Sequence, residues 1–263
     1  ITCTAIRGAN SASPMTDGAS TTGERAPSVA REPWQPATIT AVSRLTSRVV
    51  SVTLRPERWR PFLAGQHVDV RLTAEDGYRT HRSYSIASSP AAEGTLELVI
   101  ELLGDGEVSP FFHEVAAAGD TVEIRGPSAS HFAWRPEEPG AVFLAAGGSG
   151  VVPFLSMVRQ RAHVTAPSPM ALLYSARSWE DVIAGEELLA HEQAQRGLVV
   201  SFALTRQAPR RSSDFAARID ASIVAEVMAR LGEPVRHAFV CGAQRFVGTV
   251  ADLLVGAGVP AQS

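Results

Sequence analysis

The sequence predicts a two-domain protein, an antiparallel β-barrel followed by a doubly wound α/β domain. Three observations lead there. Six short segments of alternating polarity fall between residues 37 and 126. Four continuous apolar runs, each followed by a helix-compatible segment, fall between 141 and 257. Between the two sets, "RPEEPG" (135–140) breaks both periodicities with its prolines and glycine. With 263 residues, 45% hydrophobic and 19% charged, the chain has the material for two ordinary domains with cores. The expected divisions are a disordered tail over 1–33, a barrel domain over 34–135 and an α/β domain over 136–263.

The barrel strands are "ATITAV" (37–42), "RVVSVTL" (48–54), "QHVDVRL" (66–72), "RTHRSYSIA" (79–87), "TLELVIEL" (95–102) and "DTVEIRG" (120–126). Alternation at period two gives each strand a core face and a water face, and turns such as "PFLAGQ" and "AEDG" separate them. One short helix is expected near "SPFFHEV" (109–115). In the second domain "AVFLAAG" (141–147), "MALLYSA" (170–176), "LVVSFALT" (198–205) and "RHAFVCG" (236–242) do not alternate, as expected of parallel strands buried on both faces. The helices between and after them are "PFLSMVRQRAH" (153–163), "EELLAHEQA" (186–194), "ASIVAEVMARL" (221–231) and "QRFVGTVADLLVGA" (244–257).

Residues 1–33 are rich in Ser, Thr, Ala and Gly with no periodic apolar positions, the composition of a disordered tail. The chain opens on Ile, and Met15, ahead of a polar run, is an alternative natural start. No window of about 18 apolar residues exists and the N-terminus lacks a signal-peptide core, so the cytoplasm is the expected location, with no membrane partner. A net charge of −3 gives no basic field for nucleic acid. All 24 basic residues are arginine. Two cysteines cannot complete a four-thiolate iron–sulfur or zinc site, and no metal site is expected. Cys3 lies in the polar tail and Cys241 ends an apolar run, so a disulfide between them is not expected and a reducing compartment fits.

Three stretches carry chemistry. "AAGGSGVVP" joins the first parallel strand to its helix, with Pro153 in the first helical turn. Gly147, Gly148 and Gly150 around Ser149 clear side chains from a backbone that offers free N–H groups and the positive end of a helix dipole, a seat for a pyrophosphate. The same turn also occurs in proteins as plain strand-to-helix geometry. "RSYS" puts Arg82, Ser83, Tyr84 and Ser85 at a strand end, where a guanidinium suits a phosphate and an aromatic face suits a flat heterocycle. "GDGEVSPFFHE" (104–114) sets Gly106, Val108 and Ser109 at the start of the short helix, as an anion site or simply an N-cap.

The barrel, "RSYS", "GEVS", "GGSGVVP" and a late "VCG" occur in the order of the ferredoxin–NADP reductase superfamily, and residues 36–258 resemble that family. The resemblance implies a flavin-binding barrel and a nicotinamide-nucleotide domain whose cofactors meet in the cleft between them. It implies that Arg82 pairs with the flavin nucleotide's phosphate, that Tyr84 stacks on the isoalloxazine ring and that Ser85 bonds near flavin N5. The "GEVS" element favours FAD over FMN, and the residues of "SIASS" (85–89) border the flavin. Cys241 and Gly242 match the family's Cys-Gly pair, where the thiol stands beside the nicotinamide; as a bare residue Cys241 is a small buried hydrophobe. Ser175, Arg177 and Arg206 at the ends of the next two strands, with no acidic residue for a ribose 2′-hydroxyl at the strand end, lean toward NADPH over NADH. Glu180 and Asp181 follow closely and weaken that lean.

Family members continue past the last helix into a strand that carries a Glu and ends near an aromatic residue over the flavin. This chain stops at "GVPAQS", and that strand is expected to be missing. The expected function is an FAD-dependent NAD(P)H oxidoreductase, a flavoprotein passing electrons from a hydride on flavin N5 to a separate acceptor such as ferredoxin or an oxygenase component. An NAD(P)H:flavin reductase and a non-catalytic electron-transfer module are the alternatives. Oligomeric state leaves no mark on the sequence.

Overall fold

The structure, a computed structural model, describes residues 1–7, 32–104, 106–128 and 131–260. Strands β2 (Gln35–Thr46), β3 (Val49–Pro56), β4 (His67–Thr73), β5 (Arg79–Ser85), β6 (Leu96–Glu101) and β7 (Thr121–Ser128) form one sheet in the order β5-β4-β7-β2-β3-β6. Its neighbours pair antiparallel, and a bridge between Ile86 and Leu98 draws the two outer strands together to close the barrel. Apolar positions of the alternating strands fill it: Ile39, Val52, Leu54, Val68, Val70, Leu98 and Ile100 are buried. Helix α1 (Ser109–Glu114) plugs one end with Phe112.

The second sheet holds β8 (Ala141–Gly147), β9 (Met170–Ala176), β10 (Leu198–Leu204) and β11 (Val235–Gly242), parallel in the order β11-β8-β9-β10. Helices α2 (Val152–Arg161) and α3 (Gly185–Ala194) cover one face, and α4 (Ala221–Ala229) and α5 (Gln244–Gly256) the other. The runs without alternation are buried on both faces because helices lie on both. Among the described residues no helix is long and apolar enough to cross a membrane.

Two expectations about the N-terminus need correction. Residues Thr2–Arg7 form a strand, β1, antiparallel to β11, and Ile6 is buried in the core. The polar composition hid this because an edge strand needs backbone partners more than apolar side chains. Cys3 lies opposite Cys241 in that register, and the two are joined in a disulfide. Residues 8–31, with Met15, lie outside the described residues.

Helix α2 joins the two domains. Its Arg159 donates to Glu97 Oε2 on β6 (2.6 Å) and to the Ala87 carbonyl (2.8 Å), and grips both carboxylate oxygens of Glu187 on α3 (2.6 and 2.8 Å). Ser156 Oγ donates to the Ser88 carbonyl at 2.7 Å, and Ser89 Oγ to Gln160 Oε1 at 2.8 Å. Burial alone would raise the Glu187 carboxyl, but Arg159 holds it below the usual glutamate range. A depressed carboxyl contributes stability above its unfolded pKa, and that contribution is lost as pH falls through the folded value. Urea unfolding from pH 7 to pH 3 is therefore expected to show stability falling below the ordinary glutamate range, with a shallower fall in Glu187→Gln.

Candidate functional site

A cavity of about 560 Å³ opens where the barrel meets the C-terminal ends of the parallel strands. Gly147, Ser175, Ala176, Thr205 and Gly242 end or directly follow four strands of the sheet and line it, the position at which open α/β sheets bind ligands. The barrel contributes Thr46–Val49, at the β2–β3 turn, and Glu101 at the end of β6. Ile1 and Phe246 complete parts of the wall.

The glycine-rich turn closes one side of this cavity. Residues Gly148–Val151 make a single 3₁₀ turn leading into α2, with Pro153 buried in the helix's first turn. Its glycines serve different ends. A Cβ on Gly150 would collide with the Cys241 carbonyl, so this glycine lets the turn touch the backbone of β11. A Cβ on Gly147 would stand 3.0 Å from the Phe246 ring and one on Gly242 2.8 Å from it, so these two make room for an aromatic side chain. Gly148 is exposed, has a positive φ of 56° and meets nothing within 4 Å, which leaves its surface to a ligand. Ser149 is buried and its hydroxyl donates to Glu101 Oε2 at 2.6 Å, across the domain boundary.

The tetrad on β5 lies apart from this cavity, whose lining includes none of residues 82–85. The period of a strand sends Arg82 and Tyr84 to one face and Ser83 and Ser85 to the other. Arg82 is exposed, and its charge acts on the half-buried Tyr84, which meets Phe112 edge-on at 6.3 Å. Burial pushes the Tyr84 phenol up to about 12, so its ring stays neutral at any physiological pH. Ser83 turns away and donates to Asp69 Oδ1 at 2.6 Å, while Arg125 holds the same carboxylate at 2.6 Å. Burial works against the charge on Asp69, and the bonds from Ser83 and Arg125 bring it below the usual carboxylate value. Ser85 ends the strand, half-buried, opposite His67.

Gly106 donates to the Leu103 carbonyl at 3.1 Å in the turn before α1, and Ser109 Oγ accepts from Leu103 N–H at 3.0 Å. The helix has no side-chain N-cap; Val108, buried, holds that position and Ser109 is the first helical residue. Arg177 and Arg206 are exposed and adjacent, with Arg206 N–H donating to the Arg177 carbonyl at 2.8 Å; Ser175 and Arg177 line the cavity. In "SIASS" the Ser89 hydroxyl faces α2, bonded to Gln160, while the Ser88 hydroxyl accepts from Glu97 N–H on β6 at 3.1 Å and only the Ser88 carbonyl meets α2. Glu101, the turn at Thr46–Arg48 and Phe246 carry no signal in the sequence, since each reads as an ordinary polar or apolar position in a regular element.

Residues 37–134 match the family model of the oxidoreductase FAD-binding domain and residues 144–252 that of the oxidoreductase NAD-binding domain. Ferredoxin–NADP reductase B of Sorangium cellulosum is 30% identical over 87% of this chain and 94% of its own length. The chain belongs to the ferredoxin–NADP reductase family. Methane monooxygenase component C of Methylosinus trichosporium is 38% identical over 64% of the chain, a match spanning 50% of that relative. The solved structure of a ferredoxin NADP⁺ reductase from Neisseria gonorrhoeae with bound FAD and NADP superimposes with a TM-score of 0.71 at 23% identity, covering 86% of this chain and 92% of that one.

For this reductase-family chain, Cys241 departs from expectation. The free thiol implied by the resemblance is instead wholly buried, bonded to Cys3 and absent from the cavity wall. The edge beside β11 is filled by β1, from a segment whose composition predicted a disordered tail. Two measurements follow. Thiol titration of the denatured, unreduced protein should find no free thiol and, after reduction, two. Gly150→Ala should lower the unfolding free energy by about 3 kcal/mol or more, because backbone on β11 must move to admit the methyl group.

Proposed function

We propose that the protein is an FAD-dependent NAD(P)H oxidoreductase that delivers electrons to a separate acceptor protein. The observation that carries this reading is the cavity itself, where the glycine turn and the strand ends of one domain face the barrel of the other. Arg82 and Tyr84 fit FAD: an exposed guanidinium for a phosphate and a neutral aromatic ring share one face of a rigid strand. Ser85 is the hydrogen-bonding group at that strand's end, and the backbone at Val108 and Ser109, after the turn at Gly106, is the seat for the second phosphate. When bound, FAD supplies the chemistry that converts hydride transfer into single-electron steps. The protein's task is to hold the nucleotide's reacting carbon in line and keep water away.

Gly148 and the free N–H groups of the turn receive the nucleotide's pyrophosphate. The exposed pair Arg177 and Arg206 suits a 2′-phosphate, which favours NADPH. Relatives named as oxygenase reductase components and as ferredoxin–NADP reductase support an oxygenase component or a ferredoxin as acceptor. One observation favours a second reading: with Cys241 bonded and β1 against β11, the protein would hold flavin as an electron-transfer module that does not use pyridine nucleotide.

An anaerobic absorbance spectrum separates the two. Loss of the flavin bands on adding NADPH, and slower loss with NADH, is the expected result; bound flavin unmoved by either nucleotide selects the second reading. Tyr84→Ala should lose about ten-fold in FAD affinity, the worth of an aromatic stack, while Tyr78→Ala, at an exposed position, should keep its flavin. Equal flavin content in the two variants would remove Tyr84 from the site.

A further inference from the structure

We propose that Glu101 sets the affinity of the nucleotide site: its charge, held beside Ser149 on the glycine turn, repels the incoming pyrophosphate and so weakens nucleotide binding. The inference rests on the reading of the glycine turn as a nucleotide seat and goes on to say what sets its affinity. Glu101 belongs to the barrel, at the end of β6, yet its Oε2 accepts from Ser149 Oγ on the other domain at 2.6 Å. Both residues line the cavity beside Gly147 and Gly148. A hydroxyl on a phosphate-binding turn is therefore already occupied by an anion of the same chain.

No side-chain cation among the described residues pairs directly with that carboxylate, although Arg48, Arg177 and the Ile1 α-amino group line the same cavity. Among the described residues no arginine or histidine ion-pairs with Glu101, in a chain whose other half-buried carboxylates, Glu97, Glu187, Glu192 and Asp69, each hold an arginine. Arg48, which lines the same cavity, turns its Nη2 to the Leu102 carbonyl at 2.9 Å. A pyrophosphate arriving at the turn must break the Ser149 bond and then share a partly enclosed space with a carboxylate, where like charges repel far more strongly than in water. The nucleotide binds less tightly for it and leaves sooner, which suits a site that must release its oxidised product before the next turnover.

The test uses the FAD-loaded protein and titrates it calorimetrically with NADP⁺ and with NAD⁺. Glu101→Gln is the decisive variant, because its amide oxygen still accepts from Ser149 and only the charge is lost; Glu101→Ala removes both. Both variants are expected to bind NADP⁺ about ten-fold more tightly than the wild type. If Glu101→Gln binds as the wild type does while the wild type binds normally, the charge proposal is overturned and the nucleotide reading stands. Tightening in Glu101→Ala alone would make the hydrogen bond responsible, again overturning it. If neither the wild type nor the variants bind either nucleotide, the reading of the glycine turn fails and the proposal with it.

Discussion

The structure depends on Arg159. One guanidinium on α2 reaches a barrel carboxylate, a barrel carbonyl and a carboxylate on α3, so the barrel, the parallel sheet and its covering helix meet at a single side chain. Burial works against its charge, and Glu187 and Glu97 more than restore it. Such a network contributes little as isolated pairs, yet any one partner left alone would be a desolvated charge, so the three elements keep one relative arrangement. Around it Phe132, Trp134 and Ala87 of the first domain pack with Phe154, Met157 and Val158 of α2 into one continuous core. The cleft is consequently a fixed feature of two packed domains.

That fixed packing accounts for the backbone approaches at the cleft. Gly150 sits against the end of β11, and Gly147 and Gly242 flank Phe246, so the glycine turn is held against the sheet and α5 and leaves Gly148 exposed. Here the rigidity comes from the sheet, and the same sheet places Ser149 within reach of the barrel's Glu101.

The edge of the parallel sheet shows how a backbone requirement can outweigh composition. The strand β11 would offer unpaired N–H and C=O groups along one side, and residues 2–7 satisfy them over a six-residue register. Little in "TCTAIR" distinguishes it from the polar residues that follow; only Ile6 enters the core. The register then sets Cys3 against Cys241 and replaces a thiol with a disulfide at the point where the family resemblance suggested chemistry.

By itself, the sequence determined the two domains, ten of their eleven described strands and their five helices, because periods of two, continuous apolar runs and Pro/Gly punctuation are local signals that burial enforces. It also determined the family, since "RSYS", "GEVS" and "GGSGVVP" keep their order and types along the chain. Tertiary structure alone decided which side chains share the cleft. Glu101 and Ser149 stand 48 residues apart, Cys3 and Cys241 238 apart, and Ser89 and Gln160 71 apart. Each is an ordinary residue in an ordinary element, and what it does depends on which distant surface the packing brings against it.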